Sequence, residues 1–399
     1  MKVIRLREGK ERSLQRRHPW VFQGSIDKGR ADPGETVRVE THAGEFLAWA
    51  AWSPDSQIRV RAWSFDPAER IDAAFFERRL RAAIALRERL AIASNGVRLV
   101  HGEADGLPGL VVDRYGDLLS AQFLSCGAER HKAVIADLLL QITGCTRLYE
   151  RSDADVRKLE GLPLVKGWLR GASDADGPEA SVVTLQENGW QLTVDVAEGH
   201  KTGYYLDQRE NRGRFGQWVK QFGCRSVLNC FSYTGGFSVA ALAGGATEVV
   251  SVDSSGAALA RANAHVTLNG FDPALHTARD ADVNATLREY LREGRQFDAI
   301  VLDPPKFAPT VSHAERAARA YKDINRLGLK LLAPGGLLLT FSCSGGISAD
   351  LFHKIVAGAA MDAQVDGAMI ARLEGAADHP TTLMFPEGEY LKGLAIVKA

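Results

Sequence analysis

The hydrophobic and polar positions of the chain form three successive patterns. From residue 1 to about residue 70, short alternations such as 35–40 (ETVRVE) and 58–63 (IRVRAW) are interrupted by turn residues. A period of two is typical of strands with one buried face. We therefore predict a small β-rich domain over residues 1–70.

A helical pattern begins the second part. Apolar residues with arginines between them recur at helical spacing from about Asp72 to Ala93. Further on, we predict a second helix at 132–143 and strands at 97–100, 110–113, 118–124, 182–185 and 190–196. The small and acidic stretch 171–181 is predicted to be a loop. Residues 71–198 are thus predicted to form a central α+β domain.

After a boundary placed near Gly199, apolar strands alternate with helical stretches. The strands are predicted at 226–229, 248–252, 297–302 and 336–342. This alternation is typical of a mostly parallel sheet with helices on both faces. Residues 199–399 are therefore predicted to form an α/β, Rossmann-like domain.

Composition narrows the class of protein but names no partner. Lys plus Arg and Asp plus Glu each total 49 of the 399 residues, and 45% of the residues are hydrophobic. These values are typical of globular proteins, and no segment has the pattern of a signal peptide or a membrane span. We expect a cytoplasmic protein without membrane contact. The first thirty residues hold nine Lys or Arg against three Asp or Glu, which indicates either a phosphate-binding face or a solvated surface.

The cysteines indicate neither a disulfide framework nor a metal site. Their number is odd and no CxxC pair occurs, so we expect no bound metal and a reducing compartment. A free cysteine is most often a small buried hydrophobe. We interpret four of the five in this way: Cys126, Cys145, Cys224 and Cys230.

A glycine turn follows the first predicted strand of the third part. Asn229 ends the strand, and Gly235 and Gly236 precede a helix. In a doubly wound fold a cofactor crosses the carboxyl ends of the strands at this position. The G-x-G-x-x-G pattern that cradles a pyrophosphate is missing, which favours a ligand without phosphate and opposes a nicotinamide dehydrogenase. A purely structural turn is the alternative.

Acidic residues follow the next two strands. Asp253 lies 24 residues beyond Asn229, where a carboxylate suits a ribose diol. Alternatively, Asp253 caps the helix that begins near Ser254. Asp280 or Asp282 comes after a further strand, predicted between those at 248–252 and 297–302, and could bind an adenine amine, with Asp280 closer to the strand end.

The segment 297–307 carries the strongest local signal. An apolar strand delivers Asp303, and a rim of four residues follows it: Pro304, Pro305, Lys306 and Phe307. The carboxylate can bind a ring nitrogen or an exocyclic amine while the rim borders a planar base. The alternative is an ordinary loop. The next strand ends at Cys343, which brings a thiol to the same edge of the sheet.

Several blocks of sequence resemble the RlmI family of 23S ribosomal RNA (cytosine-C5)-methyltransferases. The resemblance rests first on 229–238 (NCFSYTGGFS), 303–307 (DPPKF) and 341–345 (FSCSG). Further similar blocks extend it over nearly the whole chain: 105–115 (DGLPGLVVDRY), 200–209 (HKTGYYLDQR), 378–380 (DHP) and 386–393 (PEGEYLKG). The resemblance implies an N-terminal PUA domain, which is a small RNA-binding module, then a central α+β domain and a class I methyltransferase domain.

The same resemblance implies S-adenosylmethionine as cofactor and 23S ribosomal RNA as partner. It implies that the Cys343 thiolate adds to carbon 6 of cytosine so that carbon 5 can take the methyl group, while Asp303 holds N3 or the N4 amine. Some RNA cytosine methyltransferases carry a cysteine directly after the prolines, but this chain has Lys306 there. Cys343 is therefore the predicted nucleophile. The base that removes the hydrogen from carbon 5 is not identified.

These arguments give a set of candidate residues besides the catalytic pair of Cys343 and Asp303. The predicted cofactor-binding residues are Gln208, Asn229, Phe231, Tyr233, Thr234, Gly235, Asp253, Asp280 and Asp303. The predicted substrate-binding residues are Pro304, Pro305, Lys306, Phe307, Arg16 and Arg17. His18, Trp20 and Phe22 add charge and aromatic surface beside these arginines, although we expect Trp20 and Phe22 to belong to the core of the small domain.

Two other functions stay open at this stage. An amino methyltransferase of RNA or protein also carries an acidic residue and prolines beside the cofactor but needs no thiol. An inactive RNA-binding assembly factor would keep the fold without turnover. The sequence does not specify the nucleotide, naked RNA or an assembling subunit as substrate, or the oligomeric state, and a homodimer is compatible with it.

Overall fold

The computed structural model describes residues 2–307 and 314–399. It divides the chain into two compact units, each assembled from three segments. The first unit contains Met1–Glu187, Thr193–Leu206 and Ala377–Gly388. The second contains Asn188–Leu192, Asp207–Ala376 and Glu389–Ala399. The predicted boundary near Gly199 lies in a segment that groups with the first unit.

The first unit begins with a six-stranded sheet in the order β2-β6-β5-β4-β1-β3. The elements are β1 (Val3–Leu6), α1 (Arg12–Gln15), β2 (Trp20–Phe22), β3 (Ile26–Lys28), β4 (Thr36–Glu40), β5 (Phe46–Trp52) and β6 (Ile58–Ser64). Alternate strand residues such as Ile4, Leu6, Val37 and Val39 pack into one core. The predicted β-rich domain is thus present, and its period-two pattern places alternate strand residues in this core.

A second sheet, in the order β11-β10-β9-β8-β7, follows in the same unit. Its elements are α2 (Ala73–Arg89), β7 (Gly96–His101), β8 (Leu110–Tyr115), β9 (Leu118–Phe123), α3 (Cys126–Arg130), α4 (Lys132–Thr143), β10 (Arg147–Ser152), α5 (Val156–Leu159) and β11 (Val165–Arg170). Helix α2 begins where the Asp72 carboxylate accepts a hydrogen bond from the Phe75 amide at 3.1 Å. Ala51 and Trp63 of the first sheet pack into the core of the second. A separate pair of strands follows, β12 (Val182–Glu187) and β13 (Trp190–Asp195).

The second unit is a seven-stranded sheet in the order β16-β15-β14-β17-β18-β20-β19, with helices between its strands. The strands are β14 (Ser226–Cys230), β15 (Glu248–Asp253), β16 (His276–Asp280), β17 (Phe297–Leu302), β18 (Leu332–Ser342), β19 (Gly367–Leu373) and β20 (Lys392–Lys398). The helices are α6 (Arg209–Phe222), α7 (Gly236–Ala243), α8 (Gly256–Leu268), α9 (Val283–Arg292), α10 (Ala314–Leu331) and α11 (Ala349–Ala363).

Strands β14 to β18 are parallel, and β20 runs antiparallel between β18 and β19. The doubly wound α/β fold is thus confirmed, while β19 and β20 were not predicted. The buried strands pack against α10 through residues such as Ile300, Leu302, Tyr321 and Ile324. Across residues 2–307 and 314–399, no helix combines the length and apolarity needed to cross a membrane.

Candidate functional site

The strand register brings the predicted polar residues to one edge of the seven-stranded sheet. The direction of the strand order reverses between β14 and β17, whose last residues pair with each other. Asp253 and Asp280 are paired neighbours at the ends of β15 and β16. Asp303 follows β17 and Cys343 follows β18, and these two strands are adjacent and parallel. This is the switch-point edge at which open α/β sheets bind ligands.

The turn between β14 and α7 has an unusual backbone. Phe231, Tyr233 and Gly235 have φ values of 57°, 48° and 76°, in the left-handed region that disfavours side chains. The Tyr233 amide donates to the Asp253 carboxylate at 2.8 Å, which fixes the turn to the end of β15. A Cβ atom on Gly235 would lie 2.7 Å from the Cβ of Ala262. Glycine is therefore needed at this position for both conformation and space.

Two hydroxyl groups in this turn lack hydrogen-bond partners among the residues that the structure describes. The Ser232 Oγ and the Thr234 Oγ1 are buried and make no hydrogen bond within the described residues. The Thr234 carbonyl, in contrast, binds the ring of the buried His265 at 2.8 Å. Because an unpaired buried hydroxyl costs free energy, the turn is better satisfied when a polar ligand is present.

A chain of buried hydrogen bonds supports the turn from below. Its members are Asn229, Ser238, Ser251, His276 and Asn263, joined at 2.9, 2.6, 2.7 and 2.9 Å. The Asn229 amide can only donate to Ser238, and the Asn263 carbonyl can only accept from His276. Nδ1 of His276 therefore carries a proton, and burial lowers the pKa of the imidazole to about 4, so that the ring is neutral near pH 7. The side chain of Asn229 thus lies in a supporting position.

The acidic residues at the ends of β15 and β16 have different local roles. Asp253 accepts from the amides of Tyr233 and Ser255, at 2.8 and 3.0 Å. Helix α8 is capped by the Ser255 hydroxyl, so the alternative in which Asp253 caps that helix is wrong. Asp282 caps α9, whereas Asp280 is the exposed last residue of β16. Asp253 and Asp280 are therefore the carboxylates that face the switch-point edge.

Asp303 is held by a buried amide. The Gln208 Nε2 donates to its carboxylate at 2.9 Å, and the Gln208 Oε1 accepts from Asn211 at 2.6 Å. Asn211 also donates to the Glu374 carbonyl at 3.0 Å. Gln208 is only 2% exposed. The network fixes the orientation of the Gln208 amide and, through it, that of the Asp303 carboxylate.

The residues after Asp303 form a rim of mixed exposure. Pro304 is buried, Pro305 and Lys306 are exposed, and Phe307 is half-buried. The Phe307 ring packs against the ring of Tyr321 on α10, with centroids 4.9 Å apart. The rim therefore presents an aromatic ring and a positive charge beside the carboxylate.

Cys343 differs from the other four cysteines, all of which are buried. It is half-exposed, and its Sγ lies 3.9 Å from the carbonyl oxygen of Pro304. Burial raises the pKa of both Cys126 and Cys224 to about 11 and raises that of Cys230 as well. Those thiols are unreactive near neutral pH, whereas Cys343 is accessible beside the Asp303 segment.

Tyr321 and Lys392 also lie at this site but were not predicted as site residues. The Tyr321 hydroxyl and the Ser344 Oγ are 2.9 Å apart, and the Lys392 ammonium donates to the Ser344 carbonyl at 2.9 Å. Both side chains are buried. Burial raises the pKa of Tyr321 and lowers that of Lys392. For Lys392, the one sequence signal was the position of a lysine at the start of the mostly apolar segment 392–398.

The predicted RNA-binding arginines lie in the first unit. Arg16 and Arg17 are both exposed. A groove of about 860 Å³ on the same unit is lined by several cationic side chains and one aromatic ring, together with an acidic residue: Arg7, Lys28, Arg30, Arg59, Trp52 and Asp27. The excess of cations makes the groove attractive to anions.

The two aromatic residues after these arginines are not equally buried. Phe22 is 51% exposed, so its predicted place in the core is wrong. Strand β2 lies at the edge of its sheet, where Val21 faces the core and Phe22 points away from it. Trp20 is half-buried, its indole donates to Glu103 at 2.8 Å, and its ring packs on that of Phe385 with centroids 4.6 Å apart.

Comparisons with known proteins match both parts of the chain. Residues 4–65 match a PUA-like domain, and residues 171–384 match the S-adenosylmethionine-dependent methyltransferase family. Two relatives carry the name ribosomal RNA large subunit methyltransferase I. The relative from Shewanella denitrificans is 49% identical and that from Erwinia tasmaniensis is 50% identical, each over 98% of this chain and 98% of the relative.

Solved structures share the fold over the whole length. A putative SAM-dependent methyltransferase from Streptococcus mutans has a TM-score of 0.84 at 22% identity, and both chains are covered completely. A second putative methyltransferase, complexed with SAH, has a TM-score of 0.85 at 23% identity with the same coverage. The two matched domains and the full-length relatives agree. The chain therefore belongs to the ribosomal RNA large subunit methyltransferase I family of S-adenosylmethionine-dependent methyltransferases.

Proposed function

We propose that this protein methylates carbon 5 of a cytosine in 23S ribosomal RNA, with Cys343 as the nucleophile. The observation that carries the proposal is the half-exposed Cys343 thiol directly after β18, next to β17, which Asp303 follows. The names of the relatives support ribosomal RNA as the substrate. A thiol beside a base-binding carboxylate favours carbon over nitrogen as the methylated atom, because a nitrogen needs no covalent activation.

The residues at the edge of the sheet fit S-adenosylmethionine. When bound, the cofactor supplies a methyl group that a nucleophile can remove from its positive sulfur. Asp253 has acceptor positions for the ribose hydroxyls, and Asp280 beside it can accept from the adenine amine. The unpaired hydroxyls of Ser232 and Thr234 offer further partners. Carboxylates in these places would repel the phosphates of a dinucleotide, which is why a nucleoside cofactor fits better.

Cys343 solves the chemical problem that carbon 5 of cytosine is a poor nucleophile. Its thiolate forms a bond to carbon 6, and the electron pair of the C5–C6 double bond moves to give a nucleophilic carbon 5. Carbon 5 uses this pair to bond the transferred methyl group. Loss of the C5 hydrogen as a proton then returns an electron pair to the ring, restores the double bond and expels the thiolate.

Asp303 and its rim hold the base during these steps. The carboxyl group, oriented by Gln208, binds N3 or the N4 amine. At N3 it shares a proton with the ring nitrogen, which neutralises the negative charge that thiolate addition places there. Phe307 provides a ring against which the base can pack, with Pro304, Pro305 and Lys306 along the border. The target nucleotide must be unpaired or extruded from a helix to reach the thiol. Arg16 and Arg17 bind phosphates of the flanking RNA.

Substitution of the nucleophile tests this proposal. We expect Cys343→Ala to abolish methyl transfer to 23S RNA while it still binds S-adenosylmethionine in calorimetry. RNA that contains 5-fluorocytosine should form a lasting covalent adduct with the unmodified protein, because fluorine cannot leave carbon 5 as a proton and the thiolate is therefore not expelled. The variant lacks the thiol and should form no adduct. Cys224→Ala, which removes a buried thiol from the same unit, is the matched control and should retain both activities.

Mass-spectrometric mapping of 23S RNA identifies the product. In cells that lack the protein, one cytosine should lose its methyl group and regain it when the gene is returned. Turnover by Cys343→Ala would instead support an amino methyltransferase, and failure to bind S-adenosylmethionine would support an inactive assembly factor. Either result would contradict the proposed mechanism.

A further inference from the structure

Strand β20 brings a buried lysine alongside Cys343. In the antiparallel pair of β18 and β20, the Cα of Lys392 is opposite that of Ser342. Its ammonium, however, donates to the carbonyl of Ser344 at 2.9 Å. The side chain therefore extends from the level of Ser342 to that of Ser344, and Cys343 lies between these two residues. Lys392 is only 7% exposed.

The charged and titratable groups around the thiol come from several elements. Tyr321 on α10 interacts electrostatically with both Cys343 and Asp303, which follows β17. Lys306 and Glu389 are both exposed. The positive charge of Lys306 lowers the pKa of Lys392, and the negative charge of Glu389 raises it. Burial lowers the pKa of Lys392, and negative charge at Cys343 raises it. Lys392 is thus the buried cation in this set, and an interaction between buried charges is screened less than one at the surface.

We propose that the ammonium of Lys392 stabilises the thiolate of Cys343 and keeps the segment Ser342–Ser344 in place for attack on the base. A cation beside a cysteine favours the thiolate, which is the nucleophilic form. Lys392 acts through Cys343 and is a positioning residue. Its importance for turnover rests on the proposed function, but the interaction between the two side chains can be measured without RNA.

A purely structural role is the rival explanation, since Lys392 also holds a backbone carbonyl. Three substitutions separate the two. Lys392→Arg keeps the charge, Lys392→Gln keeps a hydrogen-bond donor without charge, and Lys392→Met keeps only the apolar stem. Lys398→Gln is the matched control, because Lys398 is on the same strand and donates to the carbonyls of Leu329 and Leu332 at 3.2 and 2.6 Å, but lies at the other end.

The decisive measurement is the rate at which iodoacetamide alkylates Cys343 as a function of pH, read from the mass of the peptide that contains it. Loss of the positive charge should move the midpoint of the profile to higher pH by about one unit or more in Lys392→Gln and Lys392→Met. Lys392→Arg should stay close to the unmodified protein, and Lys398→Gln should not shift. In methyl transfer, the neutral variants should lose about tenfold or more in kcat with little change in KM.

Two results would overturn the inference. One is an unchanged midpoint in both neutral variants, and the other is a Lys392→Arg profile shifted as far as that of Lys392→Gln, which would indicate a structural role. Failure of the proposed function has a different signature. In that case the unmodified protein would form no adduct with 5-fluorocytosine RNA, while the alkylation midpoint would still depend on the charge at residue 392.

Discussion

Asp303 accepts a hydrogen bond from Gln208, and Gln208 is held in turn by Asn211. If the carboxylate binds the target base, its direction depends on this buried amide. We expect Gln208→Leu to lower kcat for RNA methylation on the order of tenfold, because the carboxylate becomes free to rotate. It should also reduce the free energy of unfolding by about 1–3 kcal/mol, since Asn211 loses a buried partner.

The exposed Gln217 on α6 provides the control for this prediction. Gln217→Leu should leave both kcat and stability close to those of the unmodified protein. Steady-state kinetics with a radiolabelled methyl donor and urea unfolding measure the two quantities. Unchanged turnover in Gln208→Leu would mean that the carboxylate is oriented by something else.

The residues proposed to carry out the chemistry were the easier ones to locate from the sequence. Asp303 and Cys343 each follow an apolar strand, and the carboxyl ends of parallel strands meet at one edge. Gln208 precedes a helix and has no such pattern, so its contact with Asp303 depends on tertiary structure. Phe22 was misplaced because an aromatic residue in a strand does not reveal which face of an edge strand it occupies.

At the scale of the element, the turn between β14 and α7 depends on Gly235. An alanine there would have to adopt the left-handed backbone conformation, and its methyl group would lie 2.7 Å from the Cβ of Ala262. We expect Gly235→Ala to lose about 2–5 kcal/mol of unfolding free energy, of which about 1–2 kcal/mol is backbone strain and about 1–3 kcal/mol is steric overlap. Affinity for S-adenosylmethionine should fall as well.

Gly223 is a matched glycine without the steric conflict. It ends α6 with φ of 64° and has open space where a Cβ would lie. Gly223→Ala should therefore cost only about 1–2 kcal/mol and leave cofactor affinity intact. Urea unfolding and calorimetry make the comparison. Equal effects of the two substitutions would show that packing against Ala262 does not matter.

The buried hydrogen-bond chain through His276 makes the stability of the second unit depend on pH. Burial depresses the pKa of this imidazole from 6.5 to about 4, so between these values the unfolded chain binds more protons than the folded one. The stabilisation is present above about pH 7 and is lost as the pH falls towards 4, by up to about 3 kcal/mol.

Urea unfolding between pH 7 and pH 4 tests this dependence. His276→Gln is expected to be less stable at pH 7 but to lose less on acidification, because no imidazole must be protonated. His42→Gln, at an exposed position, should reproduce the slope of the unmodified protein. A slope that His276→Gln leaves unchanged would place the pH sensitivity elsewhere.

Charged residues within strand β10 prevented its prediction from the sequence. Strand β10 contains Glu150 and Arg151, which are 3% and 6% exposed but resemble surface residues in the sequence. The Lys132 ammonium donates to the Glu150 carboxylate. The Arg151 guanidinium donates to the carbonyls of Val196 and Gly199 at 2.6 and 2.8 Å. Pairing makes their burial tolerable. Such partners lie far away along the chain, so a local pattern cannot reveal the strand.

At the scale of the whole molecule, binding of RNA should depend on charges in the first unit as well as on the proposed catalytic residues of the second. We expect Arg16→Ala combined with Arg17→Ala to weaken RNA binding and to reduce the slope of log affinity against log salt by about 0.7–0.9 for each phosphate that is no longer neutralised. Affinity for S-adenosylmethionine should not change. Fluorescence anisotropy with a 23S RNA fragment over a series of salt concentrations measures both the affinity for RNA and the slope.

Lys354→Ala is the control, since it removes an exposed cation from α11 in the second unit. It should leave the slope unaltered. If the double arginine variant also retains its slope, the basic surface of the first unit does not bind RNA through these residues, and the groove lined by Arg30 and Arg59 becomes the next region to test.

The division of the chain into interleaved segments affects how the protein is made. Residues 377–388 belong to the first unit although they lie within 25 residues of the C-terminus. Arg98 of β7 needs this segment as a partner, because its amide donates to the Asp378 carboxylate at 2.9 Å. During synthesis from the N-terminus, the first unit is incomplete until residues 377–388 have been added, after most of the second unit has already been made. A nascent chain stalled before residue 377 would hold two unfinished units, because the first still lacks residues 377–388 and the second still lacks residues 389–399.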